Sequence, residues 1–545
     1  MTRKNMRRKA RHEGKGDEDP ARQMLEALTH QERRRAMRRL DADIESDPGN
    51  ATALTIRGML YQVLGDDRRA EEDFGRVIEL EPGNAEAHSF RAHARAQVGD
   101  YHQAAEDYDI AICLNPDEPV SHWNRGVCAA ELGDPVTAID YFDQAIDLEP
   151  WTARPYFNRG CVYSGLDEKD RAVEDLSSAI NLDPGMALAY HVRGGIRLEL
   201  GLLEQAVSDF DAAVQLEPLN NLSRCERGVA RLQQREWDSA FRDFEAVLSL
   251  DPDNARARLG RGVALVQLDR PEEALEEFQR SLILDPQNHD IYAARGLAYA
   301  GLQRYEMAIA DYTKVIDLDP DNLEVLYERG MAYMGRARHD QAIADFEAIL
   351  RVEPDDGDAL HGRARAFFRQ GKRQEAFQDF DRLVELAPDD AESYYRRGNA
   401  FHCLREYRQA VEDYGRAITL DPDHVDSIDG RAYAYFKMGE YEKAVQDYDR
   451  LTGLRPGRAA FHYHKGLALA GVSQLKDAIR AFDRAIELEP HYTCARNKRA
   501  MALHALETYD KATLDSFRNP FFLYHVSPAW EMPDHGGVGR EAGQD

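Results

Sequence analysis

The chain has 545 residues, 31% of them charged and 43% hydrophobic, the balance of a folded protein and not of a disordered one. Its net charge is −28, yet residues 1–40 hold 13 Lys+Arg against 6 Asp+Glu, so the remaining residues hold 57 against 92 and should repel nucleic acid and anionic membranes. No run of 18 apolar residues occurs, which argues against a membrane-spanning helix, and the six cysteines lack the CxxC spacing of a zinc site.

Residues 1–20 read as a basic, disordered N-terminal tail without the apolar stretch of a signal peptide, so a cytoplasmic protein with reduced thiols is expected. Residues 21–50, with HQERRRAMRRLDADIES at their centre, read as a degenerate capping repeat. Beyond them prolines fall at 48, 82, 116 and every 34 residues as far as 490. With this proline at position 32, residues 51–492 form thirteen repeats without an insertion.

Thirteen copies let each position be read within one chain. Position 20 is always Ala, as in Ala70, Ala342 and Ala478; position 8 is Gly in ten copies and Ala at Ala92, Ala364 and Ala432; position 24 is Phe or Tyr in all but Leu176. Small residues at 8 and 20 let two helices approach closely, and the ring at 24 fills the space beside them. Apolar or small residues at 4, 8 and 11, then at 20, 24 and 27, follow a helical period. Each repeat is therefore expected to hold a helix A over about positions 1–14 and a helix B over about 15–29, stopped by the proline.

Position 7 is Arg in twelve copies and Lys465 in the other, while position 23 is Asp in ten and Glu277 in one. Flanking the packing residues on the two helices, they are expected to pair in an ion-pair ladder: Arg57 with Asp73, Arg159 with Asp175, Arg329 with Asp345, Arg397 with Asp413. Residues 493–518 read as a degenerate C-terminal capping repeat, keeping Arg499 and Ala500 but carrying Ser516 in place of the ring. Residues 519–545 hold an apolar segment, Phe521 to Trp530, expected to pack against the last repeat as a cap, with insertion into the groove as an internal ligand the alternative, and then a polar tail.

The period and the pattern of a small residue at 8, Ala at 20, a ring at 24 and Pro at 32 resemble the tetratricopeptide repeat family over 51–492, although position 4 is never Trp and position 7 departs from the family's leucine. The resemblance implies an all-α fold, a right-handed superhelical solenoid of antiparallel helix pairs, with helix A lining an inner groove at positions 2, 5, 9 and 12. Residues 153–288 give that groove an apolar lining, among them Phe157, Cys161, Leu198 and Val229. Residues 323–458 give Tyr327, Met331, Met334, His361, Arg365, Phe368, Tyr395, Asn399, His402, Asp429, Tyr433 and Phe436, the mixture of rings and polar groups expected of a recognition surface. Some members clamp a peptide's C-terminal carboxylate with Lys at 5, Asn at 9 and a further Lys and Arg pair two repeats on; here only Asn399 and Arg365 match, Lys is missing, and that specificity is not carried over.

No P-loop, GxSxG or HExxH motif is present, and too few residues lie outside the repeats to build a catalytic domain. His462 and His464, two apart on one helix, point to different faces, so no metal site and no cofactor are expected. The reading is a non-enzymatic scaffold or adaptor for a protein or peptide ligand, without nucleic-acid or membrane partners. A nucleic-acid contact through the basic N-terminus and an unrecognised enzyme stand as alternatives, and the oligomeric state is not readable.

Overall fold

The computed structural model describes residue 25 and residues 28–508. Among them the regular structure is entirely helical, an all-α solenoid of helix pairs running from His30–Ser46 to Thr493–Thr508. The described residues fall into two compact bodies, one ending at Leu284 and the other starting at Asp285. In each body, contacts join helix A to helix B of its own repeat and helix B to helix A of the next, the nearest-neighbour stacking of a repeat protein.

The stretch from Tyr305 to Gly335 shows how the local sequence builds this. Helix B runs Tyr305–Leu318 and Asp319 caps it, its N–H bonded to Val315. Pro320 follows, unable to continue the helix. Asn322 then starts the next helix A, Leu323–Gly335, its side chain accepting from the Val325 N–H at 3.1 Å. Helix A ends at position 13 or 14 and helix B spans positions 17–30 in every repeat, two residues later than the expected start. The reason lies at position 15, where all thirteen repeats have positive φ: six glycines, including Gly65 and Gly439, and seven other residues, including Asp167, Ala337 and Arg405. A left-handed residue ends the right-handed helix and turns the chain back on itself.

Between the helices the core is a column of small residues and rings. Phe346 and Ala342 are fully buried. A Cβ placed on Gly330 would sit 2.9 Å from two atoms of the Phe346 ring, so that crossing is closed to larger side chains. The same ring fills the space under Gly362 of the following repeat, and one side chain thereby seals two interfaces.

At the ends, His30–Ser46 packs on Ala51–Val63 and Thr493–Thr508 packs on Leu475–Leu488. Arg34, Arg35, Arg38 and Arg39 of the first helix are exposed. The tail 1–20, the second half of the C-terminal capping repeat and the segment Phe521 to Trp530 lie outside the described residues. No described helix is long and apolar enough to cross a membrane.

Candidate functional site

Positions 7 and 23 meet along the edge of each helix crossing. Arg57, Arg159, Arg329 and Arg397 each donate through Nε and Nη2 to both carboxylate oxygens of Asp73, Asp175, Asp345 and Asp413, at 2.7–2.9 Å. The carboxylates are buried and the arginines half-buried. The hydrogen bond to the aspartate, partly opposed by burial, holds Arg57, Arg159 and Arg397 well above the usual arginine pKa. The third guanidinium nitrogen reaches the previous repeat: Nη1 of Arg57, Arg159, Arg227 and Arg397 bonds Asp41, Asp143, Asp211 and Asp381 at position 25. Arg193 and Arg329 reach a hydroxyl there instead, Ser177 and Thr313. Where Tyr141 interrupts the pattern at position 23, Arg125 turns entirely to Asp109, which also accepts from the Tyr141 hydroxyl. Lys465, whose repeat has Ala481 at 23, likewise binds Asp449. Position 25 was not singled out from the sequence, although an acid stands there in most copies. Each of the twelve position-7 arginines thus pairs with at least one acid of the array.

The twelve residues expected to line the groove divide into two sets. Tyr327, Met331, Met334, His361, Arg365, Phe368, Tyr395 and Asn399 are half-buried, whereas His402, Asp429, Tyr433 and Phe436 are buried. Each ring at position 5 leans on the ring at 24 of its own repeat: Tyr327 on Phe346 at 5.8 Å, His361 on Phe380 at 6.3 Å, Tyr395 on Tyr414 at 6.1 Å. One face is thus held by the core while the rest of the ring borders the surface. Asn399 already accepts from the Tyr414 hydroxyl at 2.6 Å, so its carbonyl is occupied. His402 stacks on Tyr433 at 5.2 Å, and Phe436 packs on Tyr441 at 5.4 Å.

The electrostatics centre on Arg365. Burial pulls its pKa below the usual value; the neighbouring Tyr327 opposes this, and Arg369 and Arg396 add to it. Burial, reinforced by Arg396 and Arg365, pushes His361 down to about 3, leaving a neutral imidazole beside the guanidinium. Burial likewise pushes the Tyr395 hydroxyl up to about 12. Arg396 is satisfied by Glu392 at 3.0 Å. Arg365 makes no hydrogen bond or ion pair among the described residues, while the nine other helix-A arginines beyond Asp285 all have a partner. The pair His462 and His464 separates as expected: His462 is half-buried and bonds the Pro456 carbonyl, and His464 is buried. No described cluster of His, Cys, Asp or Glu has the arrangement of a metal site.

No curated protein matches the chain in sequence. Among solved structures it is similar to yeast Tom70, with 18% identity over 79% of this chain and 98% of that one and a TM-score of 0.40. It is also similar to the APC/C hetero-tetramer Cut9–Hcn1, with 15% identity over 83% and 96% and a TM-score of 0.37. YrrB, described as a TPR protein with an unusual peptide-binding site, shares 25% identity over 34% and 95%, with a TM-score of 0.30. Profiles of the tetratricopeptide repeat match residues 91–151, 225–289, 327–391, 430–487 and 466–518, and further ones match 289–322, 391–424 and 153–186. Since the first profile alone spans more than half of its length, the chain belongs to the tetratricopeptide repeat family, whose arrays are protein-interaction scaffolds and typically lack enzymatic activity.

Proposed function

We propose that the helix-A face running from Tyr327 to Phe436 binds an extended protein segment, and that Arg365 takes an acidic side chain of that segment. The observation that carries this reading is the lone guanidinium. A half-buried cation with unmet donors is costly, and a carboxylate meets it with charge-assisted, two-point hydrogen bonds. Around it, Tyr327, Met331, Met334, Phe368 and Tyr395 are half-buried, and offer rings and thioethers that give contact area at small entropic cost. The buried His402, Asp429, Tyr433 and Phe436 support the face from beneath. The six free cysteines fit a reducing compartment, the cytoplasm, as the place of action.

The test is selection of a random peptide library on the full-length protein, followed by affinity measurement with Arg365→Gln and Tyr327→Ala. Selected peptides should share an acidic residue and lose about tenfold or more in affinity to Arg365→Gln, roughly 1.4 kcal/mol. Peptides that bind Arg365→Gln as tightly as the unaltered chain would overturn the assignment.

A further inference from the structure

A second guanidinium without a carboxylate or carbonyl partner lies in the body that ends at Leu284. Helix A of the repeats between residues 51 and 284 contains fourteen arginines, and all except Arg154 bond a carboxylate or a backbone carbonyl. The Arg154 guanidinium lies instead over the Trp123 ring, 5.3 Å from its centre. Arg154 Nη2 and Trp123 Nε1 are both covered by protein and have no hydrogen-bond partner, although each residue as a whole is only half-buried.

The surroundings explain why no internal acid meets this pair. The helices Pro119–Glu131 and Ala187–Glu199 contain an acid only at their final residue, and Ala153–Gly165 contains none, in a chain with 98 Asp+Glu. Trp123 stands at position 5 and Arg154 at position 2, both positions of the helix-A face, beside the half-buried Val127, Phe157 and Cys161. Because Nη2 is covered, only the Nε and Nη1 edge of Arg154 is left for a ligand, and stacking on the indole restricts its rotamers and holds those N–H groups in one plane, a geometry that grips a carboxylate. Elsewhere in this body the chain answers every helix-A arginine with an acceptor of its own.

We infer that Trp123 and Arg154 form a binding site for the carboxylate of an aspartate or glutamate on a protein segment whose flanking residues are apolar. This site is separate from Arg365 and stands or falls independently of it.

The experiment uses the full chain labelled with 5-fluorotryptophan. It contains four tryptophans, and Trp123→Phe identifies the Trp123 fluorine signal. Three probes are titrated: a blocked peptide with one glutamate between leucines, the same peptide with glutamine, and inorganic phosphate. The Trp123 signal should move saturably with the glutamate peptide and respond about tenfold more weakly, or not at all, to the glutamine peptide. Arg154→Gln should abolish the response with an unchanged circular dichroism spectrum and melting point. No movement of the Trp123 signal, equal responses to the two peptides, a response only to phosphate, or a response retained in a folded Arg154→Gln would each overturn the site. The two-peptide comparison on the unaltered chain remains decisive should that variant not fold.

Discussion

Arg329 grips Asp345, sixteen residues ahead, with Nε and Nη2 at 2.9 and 2.7 Å, and reaches Thr313, sixteen residues behind, with Nη1 at 3.2 Å. One side chain therefore ties helix A to helix B of its own repeat and to helix B of the repeat before. Asp345 is only 5% exposed, so removing Arg329 strands a buried carboxylate. Arg329→Ala should cost about 3–5 kcal/mol, and a double-mutant cycle with Asp345→Ala should show coupling above about 1 kcal/mol. The surface pair Arg499–Asp483, with both side chains well exposed, should yield about 0–1 kcal/mol. Chemical denaturation of the full chain reads both, and equal small values for the two pairs would show that the ladder is ornamental to stability.

The Phe346 ring bears on Gly330 and Gly362 together. Phe346→Ala should destabilise its part of the array by about 3–5 kcal/mol, because two interfaces lose their filling at once. Gly330→Val should cost about 1–3 kcal/mol by overpacking. Gly330→Ala should be milder, since Ala92, Ala364 and Ala432 occupy the equivalent position. Hydrogen exchange of the amides in Leu323–Gly335 resolves these local effects from global unfolding.

His464 is buried, and its Nδ1 is covered without a partner. Burial, reinforced by Arg458, pushes its pKa down to about 4 from an ordinary value of 6.5. Between those values the unfolded chain binds a proton that the folded one does not, so the stabilising difference is fully present above pH 6.5 and is lost as the pH falls toward 4. At pH 5 this one residue should cost about 2 kcal/mol relative to neutral pH. His464→Gln should flatten the decline of melting temperature between pH 6.5 and 4.5, and an unchanged slope would show that other groups set it.

The cysteines offer a chemical check on burial. Cys113, Cys403 and Cys494 are exposed, whereas Cys128 and Cys225 are buried and burial pushes both thiols up to about 12. A maleimide should modify the first three in the native protein and reach Cys128 and Cys225 only after unfolding, because the thiolate is the nucleophile. Peptide mapping by mass spectrometry distinguishes the two groups.

The 34-residue spacing of the prolines, the small residues at 8 and 20 and the ring at 24 were sufficient to derive the helix pair and its stacking. These are demands each repeat places on itself and on its neighbour, and thirteen copies in one chain expose them without any homologue. The turn was read less sharply: glycine stands at position 15 in six repeats, but seven other residues adopt the same positive φ, because closure of the helix pair imposes that conformation whatever the side chain. Tertiary structure decided what each surface side chain meets. Tyr395 and Tyr433 look alike in sequence, yet the first keeps an open edge while the second is covered, since coverage depends on the volume that adjoining helices place beside each ring. Arg154, Arg329 and Arg365 share one residue type on one row of helices. Only the packed array shows that Arg329 is spent on acids and hydroxyls of its own chain while Arg154 and Arg365 are not, because a charge is satisfied by what lies within hydrogen-bonding distance in space, and that distance is set by the folded neighbours.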